Sequence, residues 1–268
     1  MPLFQLILVA VIQGLTEFLP VSSSGHLILL PILSGLKDQG QLIDVAVHVG
    51  TLGAVVLYFW ADVKVGLIGL LRLVRGKVDT PGAQLALGLV VATIPVILFG
   101  AVLHFTGLSD ALRSVTVIGW TMLIFGIVLY WADQSGAVDK TAEDWSVKDA
   151  VKMGLWQAIS LIPGTSRSGI TITGARQMGY GRQDAAKLSM LMSIPTILAS
   201  GILLGAEMAV EADMAAIRDS ALAAGFAFVS ALLALTLMMR LLRSISFTPY
   251  VIYRAILGIA LLVYAYSV

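Results

Sequence analysis

The 268-residue chain contains no cysteine and only three histidines, and charged residues make up just 12% of it. Without cysteine, structural disulfides, thiolate catalysis and cysteine-based zinc sites are excluded. The histidines are too scattered to suggest a histidine-rich metal site. Soluble domains contain about 25% charged residues, so this chain has too few polar side chains to cover a surface facing water. A net charge of +1 gives no reason to expect a nucleic-acid partner.

The amino terminus lacks the basic segment of a signal peptide, because the first lysine or arginine is Lys37, and no A-x-A-like cleavage site follows. We therefore expect the mature chain to start at or near Met1. Neither GxxxxGKS nor GxxxxGKT occurs, which excludes a P-loop nucleotide-triphosphate motor. No long polar linker divides the chain, so residues 1–268 are expected to form a single transmembrane domain.

Apolar residues are abundant, at 58% of the chain with a mean hydropathy of +0.94. A spanning helix needs about 20 mostly apolar residues, and aromatic residues at several segment ends are typical of membrane interfaces. The predicted spans are residues 45–60, 84–103, 115–131, 185–206, 220–242 and 251–266. Two shorter apolar stretches, 2–19 and 153–162, stop at polar motifs containing proline and are not predicted to span.

Two polar segments, residues 13–26 and 157–173, resemble one another. The same offset of 144 residues separates Gln13/Gln157, Ser22/Ser166, Ser24/Ser168 and Gly25/Gly169. Three predicted spans follow each segment, and this odd number turns the second copy upside down. The sequence therefore predicts an all-α integral membrane protein with six transmembrane helices, two re-entrant helical hairpins and an inverted-topology repeat. The two copies are residues 1–135 and 148–268.

Loop charge predicts the orientation of the bundle. Residues 61–83 and the connection at Arg240 and Arg243 are basic, whereas residues 207–219 are acidic. The positive-inside rule places the first two in the cytoplasm and the third outside. Both termini are then outside, the first hairpin enters from outside, and the second enters from inside. The loop 133–149 fits poorly, because this topology makes it cytoplasmic although it is acidic overall.

The two hairpins carry groups suited to binding an anion. Pro20 and Pro163 end one helix of each hairpin, and the serines that follow can cap the next helix. Helix N-termini lined with hydroxyl groups favour an anion, and the planar guanidinium of Arg167 suits phosphate oxygens. These features predict a phosphate or pyrophosphate site. Its candidate binding residues are Arg167 and the hydroxyls of Ser22, Ser24, Ser166, Ser168 and Thr171.

Glu17 and His26 supply groups that anion binding alone does not need. A carboxylate beside phosphate repels it unless a cation bridges them, and Mg²⁺ takes one or two carboxylates together with substrate phosphates. Glu17, helped by Gln13 on the same helix face, fits that pattern. His26 can act as an acid or a base, and one of the serines can act as a nucleophile. Spacing does not choose among Ser22, Ser23 and Ser24.

Each of these residues also has a structural interpretation. Glu17 and Arg167 can cancel each other's burial cost as an ion pair, although charges inside a membrane are functional by default. Serines often cap helices or join them, and His26 can be a hydrogen-bonded interface residue. For His48 and His104, which have no charged motif around them, a structural role is the better interpretation.

The two motifs resemble those of the bacterial undecaprenyl-diphosphatases, also called bacitracin-resistance proteins. QGLTEFLPVSSSGH, residues 13–26, follows the family's Glu/Gln-xxx-Glu pattern, its serine-rich turn and its Gly-His pair. PGTSRSGIT, residues 163–171, matches the family's PGxSRSxxT pattern, and SFTPYVIYR, residues 246–254, is similar to its tail. Length and hydropathy agree from end to end, so the likeness covers essentially the whole chain.

The resemblance implies hydrolysis of undecaprenyl diphosphate to the monophosphate and inorganic phosphate, which recycles the lipid carrier of peptidoglycan synthesis and confers bacitracin resistance. It further implies a divalent cation, Mg²⁺ or Ca²⁺, and a bacterial plasma (inner) membrane location with the site facing the outer, periplasmic side. Glu17, His26 and Arg167 match the family's essential positions, with Ser23, Ser166 and Thr171 supporting them. Many members have Glu where this chain has Gln13, which removes one candidate acidic ligand.

Alternatives for the mechanism stay open at this point. The attacking group is Ser23, activated by His26 or Glu17, or a water, or His26 itself. A transporter or flippase of a prenyl phosphate is the rival function, since inverted repeats and broken helices are typical of transporters. Expected partners are the lipid substrate and membrane lipids. The small residues at 201–205 suit helix contacts, and a homo-oligomer is not excluded.

Overall fold

The computed structural model describes residues 1–208 and 214–267, without the side chains of residues 109–110 and 203–208. Parts of the predicted acidic loop 207–219 and of the small-residue stretch 201–205 therefore lie outside the description. Within the described ranges the chain is almost entirely helical. The helices are α1 (Leu3–Glu17), α2 (Ser23–Ser34), α3 (Gln41–Tyr58), α4 (Trp60–Val74), α5 (Pro81–Thr106), α6 (Leu108–Ala111), α7 (Val115–Ser135), α8 (Val147–Ile159), α9 (Arg167–Gln177), α10 (Arg182–Met208), α11 (Met214–Leu241) and α12 (Thr248–Ser267), with a 3₁₀ turn at Ala142–Asp144.

Six of the described helices are long and apolar enough to cross a membrane, namely α3, α5, α7, α10, α11 and α12. Each contains most or all of one predicted span, so the six transmembrane helices are confirmed. Many large apolar side chains on these helices are exposed, including Phe105 at 85% and Ile202 at 71%. Exposed apolar surface of this extent requires a nonpolar solvent, which agrees with an integral membrane protein.

The connection between the first two spans is itself helical. A single residue, Phe59, separates the end of α3 from the start of α4, and α4 packs closely against α5. A Cβ atom at Gly69 would lie 2.0 Å from the carbonyl carbon of Gly82, so this approach of two helices depends on glycine. Sequence periodicity did not reveal α4, because Asp62 and Lys64 interrupt the apolar run in its first turns.

Two pairs of short helices, α1–α2 and α8–α9, contain the predicted polar motifs at their turns. Ser22 and Ser166 both have a left-handed backbone, with φ of 73° and 72°, a conformation that residues other than glycine rarely adopt. Each caps the helix that follows: Ser22 Oγ accepts a hydrogen bond from Gly25 N and Ser166 Oγ from Gly169 N. The two turns thus repeat one geometry at the predicted offset of 144 residues.

Packing of the two halves follows the same pattern. α1 packs against α11, its counterpart α8 packs against α5, and α7 packs against α12. Small residues allow these approaches: a Cβ atom at Gly14 would lie 2.6 Å from Ala227 O, and one at Gly154 would lie 2.6 Å from Ala92 O. This arrangement is compatible with the inverted repeat of residues 1–135 and 148–268, which stays a prediction.

Contacts at the helix termini define two ends of the bundle. At one end, the Met1 amino group is 3.0 Å from Asp219 Oδ2 at the start of α11, so α1 begins here. At the other end, which we call the basic end, Asp133, Arg176 and Arg182 join the ends of α7 and α9 to the start of α10. α8 begins at the basic end, because a 3₁₀ turn that contacts α10 precedes it. The two helix pairs therefore enter the bundle from opposite ends.

The loop that fitted the charge rule poorly contains acidic groups that are already paired. Asp133 Oδ1 accepts from Arg182 Nε at 2.7 Å and from Arg176 Nε at 3.3 Å, and its Oδ2 accepts from Phe247 N. Asp149 accepts from Lys140 Nζ at 2.9 Å and from Tyr180 OH at 2.7 Å. Because basic residues neutralise these carboxylates, the loop does not oppose the predicted cytoplasmic placement of the basic end.

Asp133→Asn is expected to destabilise the protein strongly. Arg176 is 2% exposed, and loss of its carboxylate partner leaves a buried charge uncompensated, which costs about 3–5 kcal/mol. Thermal unfolding in detergent, followed by the fluorescence of the five tryptophans, measures the effect. The matched control is Asp79→Asn, which breaks the exposed ion pair with Arg72 and should leave the transition unchanged. Equal transitions for the two variants would contradict the buried-pair interpretation.

Candidate active site

The turns of the two helix pairs meet inside the bundle. Arg167 Nη2, at the start of α9, lies 2.8 Å from Glu17 Oε1, at the end of α1. Ser168 Oγ also donates to the carbonyl of Leu19 at 2.9 Å. Residues about 150 positions apart in the sequence thereby form one cluster, and the two motifs that carry the predicted chemistry belong to a single site.

Glu17 is the centre of this cluster, with its two carboxylate oxygens bonded to different groups. Oε1 accepts from Arg167, whereas Oε2 accepts from Ser23 Oγ at 2.6 Å and from Gln13 Nε2 at 2.9 Å. The side chain is only 6% exposed, so its charge needs these partners. One carboxylate thus orients a guanidinium and a serine hydroxyl, both accessible enough to meet a ligand.

His26 lies in a second group of contacts. Its Nδ1 is 2.7 Å from the carbonyl of Ser22, and its Nε2 is 2.5 Å from the hydroxyl of Tyr253 in α12. The two rings are stacked with centroids 5.7 Å apart. Within the described ranges, no hydrogen bond joins His26 to Ser23, Glu17 or Arg167, so the group in contact with Ser23 is Glu17.

The predicted phosphate-binding hydroxyls divide by accessibility. Ser24 is exposed and Ser23 partly exposed, whereas the other four hydroxyls are buried: Ser22, Ser166, Ser168 and Thr171. The hydroxyl of Thr171 bonds the carbonyl of Arg167 at 2.8 Å and Ser189 Oγ at 2.6 Å. Ser22 lies 3.3 Å from Ser24, and Ser166 lies 3.2 Å from Ser168, oxygen to oxygen. The polar groups that remain accessible at the turns are Ser23, Ser24 and Arg167, while the buried hydroxyls brace the turns.

Four further residues at the site were missed or only partly recognised from sequence. Arg254 and Tyr253 belong to the tail motif, but no spacing connects that motif with the hairpins. His48, in α3, was interpreted as structural, yet its Nε2 lies 3.7 Å from Glu17 Oε2. Ser189, in α10, holds Thr171. These contacts arise from helix packing, so no signal in a single sequence could have found them.

Arg254 ties the two turns together. Its guanidinium is completely buried and donates to five backbone carbonyls. Pro20 belongs to the first turn, Gly164 and Thr165 belong to the second, and Thr121 and Met122 belong to α7. Among the described residues no carboxylate pairs with Arg254, so its charge is solvated by peptide dipoles alone. A single side chain is therefore bonded to both turns at once, in addition to the direct contacts between them.

A cavity of about 410 Å³ at the basic end is a competing candidate site. It lies between α4, α5 and α10 and is lined by Asp62, Glu143 and Lys187 among others. Lys187 Nζ is already paired with Asp62 Oδ1 at 2.7 Å, so the cavity offers no unpaired cation for a phosphate group. None of the residues of the two motifs lines it, and the cluster around Glu17 remains the better candidate.

Comparison with known proteins identifies the family. A sequence profile described as "Bacitracin resistance protein BacA" matches residues 6–260. The chain belongs to the bacitracin resistance protein BacA family. The resemblance predicted from the two motifs is therefore confirmed.

Individual relatives of this BacA-family chain carry a common name. It is 74% identical over 267 residues to a protein of Ruegeria pomeroyi named "Undecaprenyl-diphosphatase", with 100% of both chains covered. A protein of the same name from Dinoroseobacter shibae is 72% identical, also over 100% of both chains. One from Maricaulis maris is 46% identical, covering 98% of this chain and 99% of the relative.

The divalent cation predicted for BacA-family proteins needs ligands near Glu17. In the ranges that the structure describes, no three His, Cys, Asp or Glu side chains are grouped to hold an ion by themselves. Glu17 offers one carboxylate, and Gln13 offers a buried amide oxygen that has no hydrogen-bond partner in the described part of the chain. Mg²⁺ usually takes one or two carboxylates, keeps several waters and shares substrate phosphates. The donor set fits a cation held jointly with substrate, and the cation stays a prediction.

Replacement of Arg254 is expected to separate the two turns of the BacA-family site. Arg254→Lys keeps the charge but loses the planar fork that reaches five carbonyls, and each buried carbonyl left unsatisfied costs about 1–3 kcal/mol. We expect a lower thermal transition together with a loss of activity of about 10-fold or more, since small misplacement of reacting groups is costly. Arg218→Lys, at a side chain 75% exposed, is the control. Unchanged unfolding in both variants would exclude a clamping role.

Proposed function

We propose that this chain hydrolyses undecaprenyl diphosphate to undecaprenyl phosphate and inorganic phosphate. Its relatives carry the name of that activity over their full lengths. The observation that carries the proposal is the single carboxylate of Glu17, bonded on one oxygen to Arg167 and on the other to Ser23. The guanidinium of Arg167, which can bind phosphate, and the hydroxyl of Ser23, the candidate nucleophile, are thereby held side by side. Recycling of the lipid carrier for cell-wall synthesis, and bacitracin resistance, follow from membership of the family.

Binding of the diphosphate relies on donors that converge at the turns. Ser24 is exposed and Arg167 partly exposed, and α2 and α9 both begin beside Glu17, at Ser23 and Arg167. Helix N-termini favour an anion, and a guanidinium forms short charge-assisted hydrogen bonds with phosphate oxygens. The apolar outer surface of the bundle accommodates the prenyl tail in lipid. The reacting end of the substrate is then bound while its tail stays in the membrane.

Phosphoryl transfer begins at Ser23. Ser23 Oγ bonds to the terminal phosphorus as the bond from that phosphorus to the bridging oxygen breaks, and undecaprenyl phosphate leaves. The hydroxyl proton moves to Glu17 Oε2, which lies 2.6 Å away in the free protein. A water oxygen then bonds to the same phosphorus as its bond to Ser23 Oγ breaks. Glu17 returns the proton to Oγ, and inorganic phosphate leaves with both hydrogens of the water. Attack by water in place of Ser23 uses the same carboxylate and is the alternative.

Neutralisation of charge is the larger contribution of the site. Phosphoryl transfer has little covalent chemistry for the protein to perform, so positioning and electrostatic stabilisation dominate. Arg167 supplies positive charge at the terminal phosphate, and a cation held by Glu17 and Gln13 would supply Lewis-acid stabilisation of the phosphate oxygens when bound. His26, hydrogen-bonded to Tyr253, lies on the exposed side of α2, where it orients or protonates the leaving phosphate.

Orientation follows from the charge of the basic end. Most lysines and arginines of the chain lie in or beside this end, and the positive-inside rule places it in the cytoplasm. The first hairpin then enters from the outer side of the inner membrane and the second from the cytoplasmic side, each as a re-entrant hairpin. Met1 and the start of α11 lie on the outer side, from which the diphosphate reaches the site.

Transport of a prenyl phosphate is the rival function. Two broken helix pairs that enter from opposite ends and meet at mid-depth are also found in transporters, where helix termini bind the substrate. The hydrogen bond of 2.6 Å from Ser23 to Glu17 is not needed for transport. It favours catalysis, because it places a proton acceptor beside a candidate nucleophile. Release of inorganic phosphate by the purified protein separates the two functions, because a transporter alone moves the lipid without cleaving it.

Glu17→Gln and Arg167→Ala should each lower kcat/KM for phosphate release from a prenyl diphosphate by about 10²–10³-fold. The first removes the proton acceptor, and the second removes an electrostatic donor to the phosphate. Thr16→Val is the matched control, since within the described ranges the hydroxyl of Thr16 bonds only the carbonyl of Ile12 in its own helix. Near-wild-type rates in both folded variants would refute the assignment.

Ser23 should carry phosphate during turnover if it is the nucleophile. Rapid acid quench after mixing with diphosphate labelled at the terminal phosphorus is expected to trap label on the peptide containing residue 23. Ser23→Ala should release phosphate at least about 10²-fold more slowly and trap no label. Absence of label in an active wild-type protein would instead assign the attack to water.

A further inference from the structure

His48 presents one ring nitrogen to the carboxylate at the centre of the site. His48 Nε2 lies 3.7 Å from Glu17 Oε2, and the other ring nitrogen, Nδ1, lies 2.6 Å from the carbonyl oxygen of Asp44 in the preceding turn. The ring is therefore held from behind by its own helix, and its free nitrogen is directed toward Glu17. The side chain is 37% exposed, so the nitrogen can be reached by small ligands.

Hydrogen-bond roles determine what that nitrogen can do. A backbone carbonyl only accepts, so Nδ1 must carry the hydrogen of a neutral ring and Nε2 then has a lone pair and no proton. Glu17 Oε2 is also an acceptor, already bonded by Ser23 and Gln13. Two acceptors that face each other at 3.7 Å leave room for a positively charged species that interacts with both.

Gln13 provides a third acceptor at the same place. Its amide nitrogen donates to Glu17 Oε2 at 2.9 Å, while the oxygen of the same amide is buried and has no hydrogen-bond partner among the described residues. Native structures rarely leave a buried side-chain oxygen without a donor or an ion. The unpaired oxygen is an observation independent of His48, and it indicates that a hydrogen-bond donor or a cation binds beside Glu17.

We propose that His48 Nε2, the Glu17 carboxylate and Gln13 Oε1 together form the protein's part of the divalent cation site. Histidine commonly binds metal through one nitrogen while the other is fixed by a hydrogen bond to a carbonyl, which is the arrangement of His48 and Asp44. The protein then supplies one imidazole nitrogen, carboxylate oxygen and one amide oxygen as ligands. Water and substrate phosphate occupy the remaining coordination positions of the cation.

A nitrogen ligand changes which cation the site prefers. Carboxylate, amide oxygen and water suit Mg²⁺, Ca²⁺ and Mn²⁺, whereas imidazole suits later first-row metals. Mn²⁺ shares the oxygen preference of Mg²⁺ and Ca²⁺ but, as a transition metal, accepts a nitrogen ligand more readily, so this chain should bind Mn²⁺ more tightly than Mg²⁺ or Ca²⁺. The inference rests on the cation of the proposed function, but metal binding without substrate tests it separately from catalysis.

The experiment is electron paramagnetic resonance of Mn²⁺ bound to the full, untagged chain in detergent without substrate. Electron spin-echo modulation from a directly bound ¹⁴N nucleus is expected in the wild type and should be lost in His48→Gln. The same substitution should weaken Mn²⁺ binding by about 10-fold or more. Even residues that only hydrogen-bond to a metal ligand typically change metal affinity by about 10–100-fold when they are replaced. Glu17→Gln should lose most of the binding.

His104→Gln is the matched control, because it makes the same chemical change in an exposed residue near the end of α5. It should keep both the affinity and the nitrogen modulation. Nitrogen modulation that persists in His48→Gln, or its absence from Mn²⁺ bound to the wild type, would overturn the assignment of His48. Failure of Mn²⁺ to bind the wild type at all would overturn the whole donor set, and phosphate release by the same preparation would show that the proposed function survives.

Discussion

Two stretches of non-helical backbone lie inside this helix bundle, and their carbonyl groups need hydrogen-bond donors that lipid cannot supply. Arg254 provides them for both turns at once, through hydrogen bonds to Pro20, Gly164 and Thr165. A guanidinium is rigid, so shared bonding holds the turns at one separation. Glu17 and Arg167 can meet at 2.8 Å only because that separation is maintained.

The site concentrates polar groups where an apolar surrounding makes them costly, and it offsets the cost by pairing them. Glu17 and Arg167 cancel each other's charge before any ligand binds, while the starts of α2 and α9 leave a field that favours an anion. Ser22 and Ser166 hold left-handed backbones, which cost of order 1–3 kcal/mol each and typically occur where function demands a particular turn. The strained turns bring the first residues of α2 and α9, Ser23 and Arg167, to the same carboxylate, that of Glu17.

Much of the fold was predictable because its causes are local. Runs of apolar residues identified all six spanning helices, and proline followed by serine identified both turns. α4 escaped detection because its charged residues interrupt the apolar pattern, although Gly69 lets it pack on α5. Among the site residues, Glu17, Ser23 and Arg167 were recognised from their motifs and do lie together. His26 was expected beside the serine that it does not contact.

The sequence by itself determined that the chain is a membrane protein with two polar turns and which side chains those turns carry, since hydropathy and turn formation depend on a few consecutive residues. Only the tertiary structure decided that His48 faces Glu17 and that Arg254 joins both turns. Those contacts depend on the rotation and approach of whole helices. Packing sets both: a Cβ atom at Gly50 in α3 would lie 2.2 Å from Ala224 O in α11, so the depth at which His48 enters the site follows from a contact far away in the sequence.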